Sequence, residues 1–549
     1  MTNLISKQLK EFKQICTSAL LQFPIELILG VLFFLFYFIA DQEYLSEEVT
    51  ENVKMLLLFY PILSFITSWL HQITSKKQHW IYYLTPLLVI PLFYIDCADW
   101  LNSWRYPILL LFSMILFLYG YTQAKENKRF TQQTFHIAIN LLMATFIGQL
   151  LFVLWTTIFY SIGYIFEFPL LAEYTLPYLL AAIYFIFIPL YFYGLTNRVK
   201  EEKMTPLSNT YTRIINYIFS IALLTYTAIL YLYFAKIVFL WELPKGGVSY
   251  MVIFFVTFLM IGKHYQQIVS KPFFGGFYRS SSLLALLPLS LFWVGTIYRI
   301  GEYGFTENRL YLVLIGALIT CYTLLVLFKP QLKTAYYLLF SSIVLLLFTF
   351  IPGLSTKDIG IYSQQQRLEQ KATQLNLFTK DKKLKAFTNT QDSVEYKIAL
   401  ELQSSYDYLK DEYGKESMVE KYGDINIQQK SSMNLYITQK KESDISDYTT
   451  YYPIGGTDLK FSYKNGIIKV EKKGNPSTLW LAYDLQKKIN EDPQIWKDKT
   501  KQEELLTIKN DSCMLLLRKI NLRYTENKLS MDDRTINLDY VLFDGLYRK

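Results

Sequence analysis

Residues 335–358 read AYYLLFSSIVLLLFTFIPGLSTKD, and the chain changes character inside that stretch. From Ala335 to Phe350 the run is apolar and aromatic without a charge; Pro352-Gly353 closes it, and Lys357 and Asp358 follow at once. Proline cannot continue a helix and glycine readily turns the chain, so the pair marks an element boundary. The whole chain divides at the same place. Residues 1–352 carry 40 charged side chains, whereas the 197 residues beyond carry 61. The first part therefore reads as an α-helical polytopic membrane domain and the second as a soluble domain hung from its last helix.

Apolar residues make up 52% of the 549, with 40 Phe and 45 Tyr, an excess concentrated before residue 352. A span needs about 20 apolar residues. Windows of that size recur eleven times, at 22–40, 55–74, 80–96, 106–122, 135–164, 176–196, 214–241, 249–269, 282–300, 309–328 and 335–352. The fifth and seventh are long enough to tilt, break or pass beyond a bilayer, and Gly148 and Gly163 are candidate break points in the fifth. Lys7, Lys10 and Lys13 precede the first window as in a secretory signal. That window contains Glu26 and lacks a small-residue cleavage site, so a retained first helix is expected.

With the N-terminus placed in the cytoplasm, 17 of the 23 Lys and Arg of this part fall in cytoplasmic loops, among them Lys76, Lys77, Lys128, Arg129, Arg213, Lys263, Arg279 and Lys333. Five fall outside, namely Lys54, Arg105, Lys245, Arg299 and Arg309, and Lys236 lies within a window. This is the positive-inside pattern. An odd number of spans then puts the C-terminal part on the opposite face, which predicts an extracytoplasmic domain.

The tail reads as α+β. Helices are expected over 361–377 and 392–413, with Val394, Ile398, Leu402 and Leu409 near one face. Strands are expected from 458 onward, beginning with a hairpin over 458–471 that turns at Asn465-Gly466. Further strands are expected at 478–483, 505–509, 512–523 and 536–543, with 487–500 as helix or loop. The predicted layout is a membrane domain at 1–352, a helical linker region at 353–421 and a β-rich, sandwich-like domain at 422–549.

The four cysteines, Cys16, Cys97, Cys321 and Cys513, have no short spacing, which excludes a zinc knuckle or a CxxC redox pair. All four histidines, His71, His79, His136 and His264, precede residue 352. The tail therefore cannot build a Ser-His-Asp site or a His-based zinc centre. No metal site, cofactor, nucleotide fingerprint or nucleophile elbow is expected, and the balanced charge gives no reason to expect nucleic acid. The histidines read as polar residues tolerated at the cytoplasmic ends of helices.

Three groups of residues stand out. Glu26 and Lys236 are ionisable residues inside apolar windows, where a charge is costly and faces a cavity or a partner; the plain alternatives are headgroup contact for Glu26 and snorkelling for Lys236. Between the ninth and tenth windows, Arg299, Glu302, Tyr303, Gly304, Thr306, Glu307 and Arg309 crowd into one outer turn. It is expected either to be locked by ion pairs, with Thr306 capping the next helix, or to serve as a docking site. The shorter string Tyr193-Gly194-Leu195-Thr196-Asn197-Arg198 echoes it on the opposite face. Just past the break lie Ser363, Gln364, Arg367 and Leu368, a candidate contact between tail and membrane domain.

Tyr303-Gly304-Phe305-Thr306-Glu307-Asn308-Arg309 resembles the YGxTxxR-type element of a bacterial multi-pass membrane family catalogued as domain of unknown function 4153. Ser363-Gln364-Gln365-Gln366-Arg367-Leu368 resembles its SQxxRL element, and Tyr406-Asp407-Tyr408-Leu409-Lys410 fits its later helix. The resemblance implies a bacterial plasma membrane location and brings no substrate, cofactor or catalytic residue. Three function classes are open to such a chain. The first is a non-enzymatic envelope protein that binds, scaffolds or signals, whose partners are the lipid bilayer and an envelope protein or small molecule. The second is a secondary transporter of a small solute. The third is a membrane-embedded enzyme on a lipid-linked substrate, for which Asp96 and Asp99 are the acidic candidates.

Overall fold

A computed structural model describes residues 2–379 apart from 42–46, 76, 123–125, 167–169, 202–206 and 241–246, and then 383–384 and 393–423; beyond 423 it describes the backbone of ten strands between 433 and 547. The chain divides into two compact units, Met1–Arg367 and Leu368–Lys549.

The first unit is helical throughout its described residues. In a hydrocarbon phase every backbone N–H and C=O must find a partner within its own segment, and long apolar runs satisfy this as helices. In chain order the principal helices are α1 (Thr2–Gln22), α2 (Pro24–Ala40), α3 (Thr50–Ile73), α4 (Trp80–Tyr94), α5 (Arg105–Thr122), α6 (Asn127–Ile165), α7 (Thr175–Asn197), α8 (Asn209–Leu240), α9 (Gly247–Tyr265), α10 (Ser281–Tyr303), α11 (Glu307–Phe328) and α12 (Thr334–Phe350).

Among the described residues, eight helices are long and apolar enough to cross a membrane, namely α3 and α5–α11. The α1–α2 pair makes a ninth if its 95° break is counted within one span. The first window, 22–40, coincides with α2, and the break lies at its N-terminal edge. Pro24 stands at the first helical position of α2, and Phe23 leaves helical geometry at φ −130°, ψ 48°. The remaining two windows are shorter apolar helices. Pro86 and Pro91 remove amide donors from α4, and Thr85–Tyr94 is wound as a 3₁₀-helix. The looser rise of that winding lets the 15 residues of α4 extend over about 27 Å, against a hydrocarbon thickness of about 30 Å. α12 stops at Phe350 because Ile351, placed before Pro352, is driven into an extended conformation.

α6 does not break at Gly148 or Gly163. It is continuous over 39 residues, about 58 Å of helix. Gly148 instead faces Ile183 and Ile188. Two other helices carry one π-helical turn each, Ile183–Phe187 in α7 and Ile214–Phe219 in α8.

The apolar side chains pack in clusters. One gathers Ala19, Phe23, Phe117, Tyr121, Phe192 and Tyr193 from α1, α5 and α7, with the link before α2. Another gathers Leu223, Val252, Phe255, Leu259, Leu289 and Phe292 from α8, α9 and α10. Glycine lets backbones approach. A Cβ on Gly30 of α2 would lie 2.0 Å from the carbonyl oxygen of Phe185 in the π-turn of α7, and one on Gly194 would lie 2.5 Å from the carbonyl oxygen of Ile15.

The Pro352-Gly353 break is a built turn rather than a soft linker. Gly353 sits at φ +76°, and α13 (Thr356–Gln374) begins after Ser355. The Asp358 amide donates to Ser355 Oγ at 3.0 Å, and Asp358 Oδ2 reaches back to the Gly353 amide at 2.8 Å, a reciprocal capping arrangement.

In the second unit, α14 (Ser393–Tyr413) and α15 (Lys415–Tyr422) bury Ala399, Leu402, Tyr406, Leu409, Met418 and Tyr422. Tyr422 donates to Glu369, and Lys371 pairs with Glu401 at 2.7 Å. The strands beyond are all antiparallel where paired. Leu459–Lys464, Ile467–Lys472 and Leu479–Asp484 form one sheet, with Lys464 opposite Ile467. Thr450–Pro453, Phe543–Tyr547, Cys513–Leu517 and Thr507–Lys509 form a second in that order, and Met433–Thr438, Lys519–Thr525 and Lys528–Leu529 a third. Three separate small sheets do not support a two-sheet sandwich, and the observed fold class is mostly helical with apolar spans. Residues 487–500 and most of the strand expected over 536–543 lie outside the described residues.

Candidate functional site

The break between α1 and α2 places Glu26 in the first turn of α2, one turn inside an apolar helix. The side chain is completely buried, at 0% exposure. Ser68 Oγ donates to Glu26 Oε1 at 2.8 Å and the Tyr82 hydroxyl donates to Oε2 at 2.7 Å. Among the described residues Glu26 has no ion-pair partner. The Tyr82 oxygen also accepts from the Ile25 amide at 3.2 Å. Phe23, at the N-cap position, has no side chain able to cap, so a phenol from α4 caps α2 in its place.

Ser68 belongs to a stripe. Tyr60, Ser64, Thr67, Ser68 and His71 recur along α3 at steps of three and four residues, which puts them on one helical face. Tyr60, Ser64, Thr67 and Ser68 are buried. Tyr60 donates to the Glu26 carbonyl at 3.4 Å, and Ser64 Oγ lies 2.7 Å from the Tyr193 hydroxyl of α7. Phe23 stacks on Tyr193 at 4.7 Å and reaches His71 at 5.9 Å. The His71 ring meets Tyr82 at 4.6 Å and His79 at 5.2 Å, and His79 meets Tyr82 at 5.3 Å. A buried acid is thus enclosed by hydroxyls, with two histidine rings stacked toward an exposed turn at Lys77 and Gln78.

Glu26 therefore does not reach the headgroups, the plain expectation from its place in the window; the bend of the chain folds it inward. Lys236 is exposed on α8, so the two intramembrane charges do not share a site. The stripe on α3 escaped the reading of the sequence. Its signal was present, since five polar or hydroxyl-bearing residues at helical spacing inside an apolar window mark an inward face. Asp96 and Asp99 have structural tasks. Asp96 Oδ1 caps the short helix Cys97–Asn102 by accepting from the Asp99 amide, and Asp99 pairs with Arg105 at 2.6 Å. Among the described residues no three His, Cys, Asp or Glu side chains converge as metal ligands.

The turn between α10 and α11 is the second constellation. Gly304 ends α10 at φ +68°, ψ 179°, a region open in practice to glycine alone. Arg309 Nη1 donates to the carbonyls of Tyr303 and Gly304 at 3.1 and 3.0 Å, and its guanidinium lies 5.3 Å from the Tyr303 ring. Gln364, only 2% exposed, donates to the carbonyls of Tyr303 at 3.0 Å and Phe305 at 2.7 Å, while Ser363 Oγ accepts from the Phe305 amide at 3.1 Å. The start of α13 is thereby clasped to the turn. Main-chain carbonyls take part in the lock, and Thr306 occupies the N-cap position of α11 without a side-chain cap bond. The two outlying segments of sequence meet: a Cβ on Gly304 would lie 3.0 Å from Gln364 Nε2 and 3.4 Å from Arg367 Cδ. Arg299, Glu302 and Glu307 are partly exposed around the turn, and Leu368 is buried in the second unit. The Gly194 echo is a different device, a close approach of α7 to α1.

These features define a polytopic helical membrane protein with an enclosed acid beside the α1–α2 break and a clasped turn between α10 and α11. The chain belongs to the family described as Domain of unknown function (DUF4153), whose model matches residues 27–381. The match takes in the α3 stripe, Tyr82, Tyr193, the outer turn and Ser363–Leu368, whereas Tyr406–Lys410 lies beyond it. An uncharacterised protein of Pasteurella multocida is 29% identical over 356 residues, 64% of this chain and 60% of that protein. The chain thus aligns with only three-fifths of that relative's length. No solved structure matches.

Proposed function

We propose that this is a bacterial inner-membrane protein of eleven spans with a cytoplasmic N-terminus and an extracytoplasmic α+β C-terminal domain, acting as a non-enzymatic envelope binding or scaffolding protein. The count treats α1–α2 as one broken span and adds α4 and α12. The loop charges support the orientation, since a bias of 17 to 5 in Lys and Arg follows from it. The observation that carries the functional reading is the Gln364 clasp on the carbonyls of Tyr303 and Phe305. It fastens Ser363 and Gln364 of α13 to the turn between α10 and α11, a built contact that suits a binding surface at that turn. Purification of the full chain in native lipid, followed by mass spectrometry of what accompanies it, tests this. A partner protein retained by the native chain and lost from Gln364→Ala is the expected result. Protection of the tail from protease added to intact cells would sink the topology and the reading with it.

A second reading, secondary transport of a small solute, draws on the enclosed Glu26 and its polar stripe. It predicts solute uptake into proteoliposomes that Glu26→Gln abolishes.

A further inference from the structure

We infer that Glu26 is an exchangeable proton-binding site at the break between α1 and α2, served from the turn that carries His79. The inference goes beyond the scaffolding reading and does not depend on it.

Three observations carry it. The first is enclosure. Glu26 is fully buried, its two oxygens are held by hydroxyl donors, and among the described residues it has no ion-pair partner. A permanent charge in such a place is expensive, and a permanent neutral acid would need no such ring of donors.

The second is that the shell accommodates both forms. The ionised group accepts from Ser68 and Tyr82, as the structure has it. On taking up a proton, the new O–H donates to Ser68 Oγ, and the Ser68 hydroxyl turns its own hydrogen to the carbonyl four residues back on α3. Serines and threonines in helices make that bond readily, and Thr122 and Thr227 make it in this molecule. Tyr82 keeps its bond from the Ile25 amide throughout. One proton is added or removed and no polar group is stranded. Thr67 Oγ1, on the same stripe and fully buried, has no partner among the described residues and provides an oxygen at which a proton-carrying water can pause.

The third is access. Tyr82, which bonds the acid, meets the His71 ring edge-on and touches His79, His71 meets His79 edge-on, and His79 follows the exposed Lys77 and Gln78; His79 Nδ1 lies 3.4 Å from Thr74 Oγ1 at the end of α3. The titratable groups facing Glu26 are Tyr60 from α3, Tyr82 from α4 and Tyr193 from α7, with His71 and His79 set against Tyr82. Lys54 lies toward the other end of α2, against Asp41.

The test is infrared difference spectroscopy on the full chain in lipid nanodiscs over about pH 5–9, where a carboxyl site poised for exchange changes state. A protonated-carboxyl C=O band is expected to appear and vanish reversibly with pH, to shift in D₂O, and to be missing from Glu26→Gln. If Glu26→Gln fails to assemble, Tyr82→Phe keeps the acid, removes one donor and moves the frequency of the same band. Substituting His79→Phe is expected to slow the band's response to a pH jump several-fold. Identical carboxyl spectra for the native chain and Glu26→Gln across the range would overturn the proposal. So would a Glu26 band of constant amplitude, and an unchanged response in His79→Phe would overturn the route.

Discussion

Gly304 shows how much a single residue can decide. Its φ of +68° with extended ψ is closed to side chains, and Gln364 Nε2 stands where a Cβ would go. Gly304→Ala is expected to lower stability by about 1–3 kcal/mol, seen as a fall in the thermal midpoint of the protein in mild detergent. Gln364→Ala removes the Gln364 donor from the Phe305 carbonyl and one of the two donors from the Tyr303 carbonyl, which keeps Arg309, and is expected to cost about 1–3 kcal/mol. Because both changes open the same clasp, the double variant should lose less than the sum; strict additivity would show the contacts to be independent. Cys97 offers a simpler check. It is buried outside the spans, and burial, with Asp96 beside it, pushes the thiol up. It should resist alkylation at mildly alkaline pH until the protein is unfolded, since the thiolate is the reactive form.

At the scale of elements, glycine positions sort by what they face. Gly30 of α2 lies against the backbone of the α7 π-turn, which cannot yield, so Gly30→Ala is expected to block assembly or shift α2 as a whole. Gly148 faces the side-chain ends of Ile183 and Ile188, which can rotate aside. Gly148→Ala should therefore be much milder, and Gly275→Ala, with open space around it, nearly silent. Expression level and monodispersity on size exclusion rank the three, and a reversed order would contradict the packing. The α1–α2 break depends on Pro24 and on Phe23 wedged between Tyr193 and His71. α4 owes its 3₁₀ winding to its prolines, and the larger rise per residue lets this short helix extend nearly the thickness of a hydrocarbon core.

Met1–Arg367 is a bundle of apolar helices, and the orientation proposed for it rests on loop charge. With the native cysteines replaced, Lys77→Cys should react with a membrane-impermeant maleimide only after lysis, and Asn102→Cys should react in intact cells; both positions are exposed. The opposite pattern would invert the topology. Much of this layout was legible in the chain, because apolar runs and Lys/Arg bias are properties of composition along the sequence. All eleven windows fall on helices, although two, α4 and α12, are short and the break between α1 and α2 lies at the edge of the first. The outer turn and the segment after Pro352-Gly353 were also legible, as Gly304 and the Ser363–Leu368 run stood out against their surroundings. Their contact was not, since nothing in either string specifies which carbonyl Gln364 will reach across 59 residues of chain. The partners of Glu26 were hidden for the same reason. Ser68 and Tyr82 are 42 and 56 residues away and look ordinary alone.

The sequence by itself determined that this is a membrane protein of many helices with a compositional boundary at Pro352-Gly353, because hydrophobic length and charge distribution act locally. Only the tertiary structure decided that Glu26 is enclosed rather than at the membrane surface, and that the boundary is a clasped turn rather than a tether. Both depend on a bend and on hydrogen bonds between distant helices, whose directions are fixed when the bundle packs.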